Sequence, residues 1–310
     1  MTGLVLTFLF SASAVCGQGW EPIGFPLSEA VTGMSFLSPD TAFVVTSAGS
    51  FVRTYNGGKT WVAGSHSGLA GIALEDICFL NTEVGAVCGR RGAIYWTNNG
   101  GQKWSDCSVK DTLAWFLSIQ LFDARTAVLV GISRDTASVL SGLLYRTTDA
   151  GATWSRVPQN GVGFGELFYR VGSPICFQSY GELHFSRDLG ATWETRRTLG
   201  GKPARATAFF GKSGIIAGNQ GACAYSSDGG QNWTSVSMPD KFHFTSAVLV
   251  DDKIGYVAGI GPAVFKTTDG GKTWTDITAG VDFDVYELRL VGKKLYAAGT
   301  KGGMARRSAR

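Results

Sequence analysis

Hydrophobic and polar positions along this chain come in short bursts rather than at helical spacing. Asp76-Ile-Cys-Phe-Leu80 is followed by Gly85-Ala-Val-Cys-Gly89 and Gly92-Ala-Ile-Tyr-Trp96. The same three-part text returns as Thr245-Ser-Ala-Val-Leu249, Gly255-Tyr-Val-Ala-Gly259 and Pro262-Ala-Val-Phe-Lys266. Apolar runs of this length, bounded by Gly, Pro, Asn and Asp, read as strands. No convincing amphipathic helical stretch follows the first residues. Between each set of strands lies an eight-residue phrase ending in tryptophan. The six copies are Thr54-Tyr-Asn-Gly-Gly-Lys-Thr-Trp61, Thr97-Asn-Asn-Gly-Gly-Gln-Lys-Trp104, Thr147-Thr-Asp-Ala-Gly-Ala-Thr-Trp154, Ser186-Arg-Asp-Leu-Gly-Ala-Thr-Trp193, Ser226-Ser-Asp-Gly-Gly-Gln-Asn-Trp233 and Thr267-Thr-Asp-Gly-Gly-Lys-Thr-Trp274. Their tryptophans are 43, 50, 39, 40 and 41 residues apart. A fixed period near 40 residues filled with about four short strands is the signature of propeller blades.

The phrase itself is a tight turn between two antiparallel strands. Its third position (Asn56, Asn99, Asp149, Asp188, Asp228, Asp269) supplies a side-chain acceptor for nearby backbone N–H groups, and the leading Ser or Thr hydroxyl adds another. Glycine at the fifth position takes positive φ without a Cβ penalty. The tryptophans (Trp61, Trp104, Trp154, Trp193, Trp233, Trp274) open the next strand with a large apolar plate suited to wedging between sheets. Asn replaces Asp in the first two copies, which keeps the acceptor and drops the charge. A turn tolerates that exchange; a catalytic carboxylate would not.

Six phrases imply seven blades. Trp20 precedes Trp61 by 41 residues, one period, so Gly19-Trp-Glu-Pro-Ile23 reads as an outer strand without its own turn. Beyond Trp274, residues 285–291, 295–299 and 303–308 supply three more strands. Together these complete a last blade, pairing edges that would otherwise stay open. The expectation is an all-β, seven-bladed propeller in which the N-terminal outer strand closes the last blade.

Composition fits one ring over residues 19–310. Glycine is abundant (43 residues) because turns are many, and a net charge of +4, from 28 basic and 24 acidic residues, is too mild to indicate nucleic acid. Residues 1–18 read as a signal peptide: Leu4-Val-Leu-Thr-Phe-Leu-Phe10 is an apolar region too short to span a bilayer, followed by Ser11-Ala-Ser-Ala14. Lys and Arg are absent before it, and Val15 before Cys16 makes a poor lipidation site. Export to the periplasm or outside the cell is therefore expected. Cys78, Cys88, Cys107, Cys176 and Cys223 are odd in number and lack metal-type spacing, so buried thiols are expected, and export would allow a Cys78–Cys88 bridge within one blade. His66, His184 and His243 are scattered. Neither metal nor cofactor is expected.

Glu75, Asp76, Glu166, Asp282, Asp284 and Glu287 lie near the starts of inner strands, where they would line the central funnel. Opposed pairs would suit glycoside hydrolysis, but solvated strand ends explain them equally well. On the face opposite the turns, the loops collect Arg90, Arg91, Arg134, Arg196, Arg197, Lys202, Arg205, Lys241, His243 and Lys301. Clustered, they would attract an acidic peptide or an anionic head group.

The turn phrase matches S/T-x-D-x-G-x-T-W, the Asp-box of bacterial neuraminidase-type repeats. With the ~40-residue period and Tyr256-Val-Ala-Gly259 ahead of Thr267-Thr-Asp-Gly-Gly-Lys-Thr-Trp274, residues 19–310 resemble the photosystem II stability/assembly factor family. The resemblance implies a monomeric, non-enzymatic scaffold that binds another protein, such as a membrane-protein assembly intermediate, and in a phototroph a place in the thylakoid lumen. The same boxes occur in sialidases and xyloglucanases, which makes a glycan-active or glycan-binding propeller the alternative. A sialidase would carry an arginine triad and usually Phe/Tyr-Arg-Ile-Pro before the first box; here Trp20-Glu-Pro-Ile23 stands there, and Arg53 is the only arginine of that segment.

Overall fold

The computed structural model of the protein describes residues 5–7, 19–64, 69–134, 140–158, 165–170, 174–179, 181–198 and 204–310. Their strands form seven antiparallel sheets, arranged as seven blades. Blade 1 comprises residues 31–63, blade 2 residues 74–106, blade 3 residues 114–156 and blade 4 residues 168–197. Blade 5 comprises residues 204–237, blade 6 residues 243–276, and blade 7 residues 285–308 together with 21–22. Chain order within a blade runs from the centre outwards. The second strand is sandwiched between neighbouring blades on both faces. Accordingly Ala42–Thr46 and Gly85–Gly89 are buried at every position, which explains their continuous small, apolar text.

The N-terminal strand closes the ring as the periodicity predicts. Glu21 pairs with Arg306 and Pro22 with Ala305, the Ile23 N–H donates to the Met304 carbonyl (2.9 Å), and Arg306 Nε reaches Glu21 Oε2 at 3.1 Å. Trp20 is buried in the cluster shared by blades 6 and 7, its indole N–H on the Ile277 carbonyl at 3.0 Å. Residues Val5–Thr7 pair backbone to backbone with Thr60–Ala63, the outer strand of blade 1. Ala14, Cys16, Lys202 and His66 fall outside the described residues.

All six boxes fold alike. The leading hydroxyl accepts the N–H of the fifth-position glycine at 2.8–3.1 Å. It donates to the third-position side-chain oxygen, which accepts the seventh-position N–H at 2.8–2.9 Å. Where that residue is Asp and the seventh is Thr, the second carboxylate oxygen also accepts the Thr hydroxyl, at 2.5 Å for Thr153 and 2.6 Å for Thr192 and Thr273. These bonds favour the charged form. At Asp149 and Asp188 the Thr hydroxyl, then the amide, holds the carboxyl at about 2. At Asp228 the Asn232 amide and side chain hold it at about 2. At Asp269 some burial opposes, yet the Thr273 bonds still bring it to about 2. Backbone geometry asks more than the sequence pattern suggests: the fourth position also has positive φ, at Ala150 (62°) and Leu189 (55°) as well as at the glycines there.

The tryptophans are less uniform than expected. Trp61 and Trp104 are buried, Trp104 lying edge-on to Phe51 of blade 1 at 5.3 Å, whereas Trp154, Trp193, Trp233 and Trp274 are half-buried. The five described cysteines are free, so Cys78 and Cys88 are not bridged. Burial pushes the Cys78 thiol up to about 12, and its sulfur accepts the Leu121 N–H at 3.4 Å.

Candidate functional site: the central funnel

Six inner strands carry a β-bulge at the same place. The register shifts between Val31 and Gly33, Leu74 and Asp76, Phe116 and Ser118, Ala204 and Ala206, Phe244 and Ser246, and Val285 and Glu287. A bulge re-aims its extra side chain. The six extra residues (Thr32, Glu75, Leu117, Arg205, Thr245, Tyr286) all line one chamber of about 810 Å³. Glu166, two residues ahead of blade 4, joins them, its N–H on the Arg205 carbonyl at 3.2 Å. This chamber opens on the face opposite the boxes. Thr32 and Thr245 also stitch blades together, donating to the Leu74 and Val285 carbonyls at 2.8 and 2.7 Å. A second chamber of about 410 Å³ opens on the box face, its wall mixing Ile77, Ile119, Leu167 and Leu288 with polar groups such as Gln120, Arg170 and Arg289.

Charged groups separate the two chambers. Arg289 pairs through Nη1 with Glu166 Oε1 at 2.5 Å, through Nη2 with Glu287 Oε1, and its Nε donates to the Met34 carbonyl at 3.3 Å. Asp76 lies beside them, accepting the Ser118 hydroxyl (2.7 Å) and the Ile119 N–H (2.9 Å) of blade 3. Burial drives Asp76 up to about 6 against the pull of Arg289 and the two hydrogen bonds, with Glu166 adding to the rise. Burial likewise lifts Glu287 well above the ordinary carboxylate range, against the attraction of Arg289. Burial disfavours the charge on Arg289, but Glu287, Glu166 and Asp76 more than compensate and hold its proton tightly. At the mouth, Arg90 bonds Glu75 at 3.3 Å and lies over the Trp115 ring at 4.0 Å. Burial raises Glu75, and Arg90 opposes it.

The structure therefore gathers Asp76, Glu166 and Glu287 at one level, with Glu75 at the mouth, and leaves Asp282 and Asp284 out of both chambers. Asp284 serves a loop, accepting the Gly261 N–H at 2.8 Å. Of the basic set, Arg90 and Arg205 share the funnel mouth. Arg91 and Lys301 occupy equivalent turns of blades 2 and 7 with positive φ, and Lys241 lies in the turn before blade 6, over Phe242 at 4.9 Å. Arg134 ends the second strand of blade 3. Arg196 and Arg197 belong to the outer strand of blade 4, away from the funnel, where Arg196 covers Phe185 at 5.0 Å. His184 is buried on Phe177 and bonded to Thr195 at 2.9 Å; burial lowers its pKa. Among the described residues no group of His, Cys, Asp and Glu is placed to hold a metal ion.

Arg289 escaped the sequence reading because Val285-Tyr-Glu-Leu-Arg-Leu-Val291 reads simply as an apolar strand. The signal was present: Glu287 and Arg289 stand two apart, hence on one strand face, in otherwise apolar text.

A ring of seven blades, six of them turning through a box, around a funnel with buried carboxyls defines a repeat-built β-propeller. The chain belongs to the Photosynthesis system II assembly factor YCF48 family, whose model matches residues 12–302. Solved structures agree on the fold. A YCF48 bound to a D1 peptide superposes with a TM-score of 0.76 at 20% identity, covering 97% of this chain and 99% of that one. YCF48 from Cyanidioschyzon merolae gives 0.74 at 15% identity, covering 94% and 99%. A streptogramin B lyase gives 0.74 at only 6% identity, covering 93% and 96%, so the ring itself is shared well beyond the family. No curated protein matches by sequence.

Proposed function

We propose that this protein is an exported, monomeric, non-catalytic scaffold that captures a segment of another protein during assembly or maturation of a membrane complex. Membership of an assembly-factor family over residues 12–302 carries this reading, and the solved structure of a YCF48 bound to a D1 peptide supports peptide capture as the mode. The capture surface is the face opposite the boxes, where Arg91, Arg205, Lys241 and Lys301 surround a funnel with Trp115, Leu117, Ile132, Ile260 and Tyr286 in its wall. Basic loops steer an acidic segment and apolar walls hold it. Against glycoside hydrolysis stands Arg289. A hydrolase needs two carboxyls facing the sugar, whereas here Glu166 and Glu287 are bound to one guanidinium. The apolar first residues support export, and in a phototroph the destination would be the thylakoid lumen.

Co-purification from the native host tests the reading. A protein partner should be retained at low salt and released when Arg91 and Arg205 are reversed to Glu. These two are chosen because Arg90 is occupied by Glu75 and Trp115. Turnover of aryl glycosides that Glu166→Gln abolishes would overturn it, and N-terminal sequencing of the mature protein tests export.

A further inference from the structure

The outer edge of each blade is where a closed ring still exposes unpaired strand backbone, and a charge or a proline there discourages another chain from pairing with it. Ser105–Asp106, Ser155–Arg156 and Thr275–Asp276 are two residues long and each carries a charge. Glu21–Pro22 adds a proline to its charge, and Glu194–Arg197 carries a glutamate and two arginines. Thr234–Ser237 is uncharged but sets three hydroxyls around a single valine. Blade 1 differs from all of these. Its outer strand, Thr60-Trp-Val-Ala63, is four residues long, uncharged and largely apolar. Among the described residues it alone bears a fifth strand. Val5–Thr7 runs antiparallel along it, with Val5 opposite Val62, Leu6 opposite Trp61 and Thr7 opposite Thr60.

Pairing on the inner side decides which groups face outwards. Gly64 donates its N–H to the Phe51 carbonyl at 2.9 Å, and Val62 stands opposite Arg53. Bonding direction alternates along an antiparallel ladder, so Val62 and Gly64 turn towards the blade while Trp61 and Ala63 present N–H and C=O outwards. Leu6, opposite Trp61, is therefore the N-terminal residue whose backbone bonds the edge. Main-chain bonds give such a contact its affinity whatever the sequence, so the edge that seats Val5–Thr7 seats other extended segments of like character. We propose that the outer edge of blade 1 is a strand-acceptor site. The chain's own signal peptide fills it before export, and in the mature protein an extended, uncharged apolar segment of a partner protein takes its place. This site lies on the rim of the ring, apart from the funnel, and it adds a second contact to the scaffold reading. All seven blades lie within residues 21–308, so the ring is complete without the signal peptide.

The probe is a fluorescent peptide that repeats Leu4-Val-Leu-Thr-Phe8 between solubilising lysines. Anisotropy should show saturable binding to residues 19–310. Methylating the nitrogen at the Leu6 position removes the donor that faces the edge and should weaken binding about five-fold or more. Methylation at the Thr7 position, whose N–H points away, should do far less. Ala63→Pro deletes an outward N–H at an exposed residue and spares the bonds to the inner strand, so it should abolish binding while the melting temperature holds. The full chain should bind the probe about ten-fold more weakly than residues 19–310, because its own segment competes from within. Leu6→Pro in the full chain should restore binding, and that arm needs no cleavage, so it stands whatever N-terminal sequencing shows about export. No saturable binding at high micromolar probe, equal effects of the two methylations, binding that survives Ala63→Pro, or a full chain indifferent to Leu6→Pro would overturn the proposal. So would dimerisation of residues 19–310 through this edge, since a second copy would then be its occupant. Reversal of Arg91 and Arg205 acts at the funnel and should leave probe binding unchanged, so either test can fail without the other.

Discussion

Leu189 and Gly190 stand side by side in the left-handed region, one against its preference and one by necessity. Leu189 has φ 55° and an exposed side chain, so its Cβ strain is set against little packing. Leu189→Gly should therefore raise stability by about 1 kcal/mol, the low end of the left-handed penalty after allowance for added unfolded-state freedom. Gly190 combines φ 80° with a neighbour: a Cβ there would lie 2.3 Å from Val128 Cγ2 of the preceding blade. Gly190→Ala should destabilise by about 2 kcal/mol or more, and chemical denaturation of the pair gives both signs at once. Asp149→Asn should cost far less than a buried box tryptophan, because Asn56 already performs the acceptor task, accepting the Thr60 N–H at 2.9 Å and donating its own amide to the Thr60 hydroxyl at 2.8 Å, and what is lost is only the charge. Sequence made this acceptor role plain, because Asn and Asp alternate at one position. It did not reveal the second positive φ, because Ala150 and Leu189 look like ordinary residues where other boxes carry glycine.

Strands were readable as strands from alternation and turn text; the bulges within them were not. A bulge depends on how one strand meets its partner, and nothing in Val31-Thr-Gly33 or Val285-Tyr-Glu287 announces a register shift. Yet the bulges bring Glu75, Leu117, Arg205 and Tyr286 into one chamber, so the site was less legible than the ring around it. Blade 4 shows the same limit: among the described residues its inner position is the Phe168–Cys176 bridge. The wedge tryptophans were legible in position but not in depth, because depth depends on the neighbouring blade. Trp61 is 2% exposed, with Phe25 edge-on at 5.4 Å and the Gly24 carbonyl on its indole at 2.7 Å. Trp154 is half-buried, and among the described residues its indole N–H has no acceptor. Trp61→Ala should cost about 3–5 kcal/mol and Trp154→Ala clearly less. Equal losses in thermal melts would contradict an account based on burial between blades.

At the scale of the ring, closure was fully legible, since one tryptophan a period early was enough to place the strand at Glu21–Pro22. Deleting residues 19–25 should lower the melting temperature far more than a surface truncation does. It should also provoke concentration-dependent association, because Met304–Ser308 would become an open edge. The ring also sets two groups of carboxyls against each other in pH. Box aspartates held at about 2 bind fewer protons folded than unfolded, so their stabilisation is present above about pH 4 and is lost as pH falls towards 2. Asp76, raised to about 6, has the opposite sign: between about pH 4 and 6 the folded chain keeps a proton that the unfolded chain has released, so stability falls as pH rises through that window. Glu287, raised by burial, pulls the same way. Melting temperature should therefore climb from pH 2, pass a maximum near pH 4–5 and decline towards neutrality. Glu287→Gln should make the declining limb shallower and leave the acid limb in place, because the box aspartates lie on the turns whereas Glu287 is buried between the two chambers beside Arg289. A profile that rises steadily to pH 7, or a Glu287→Gln variant that alters only the acid limb, would mean that the channel carboxyls are ionised without cost.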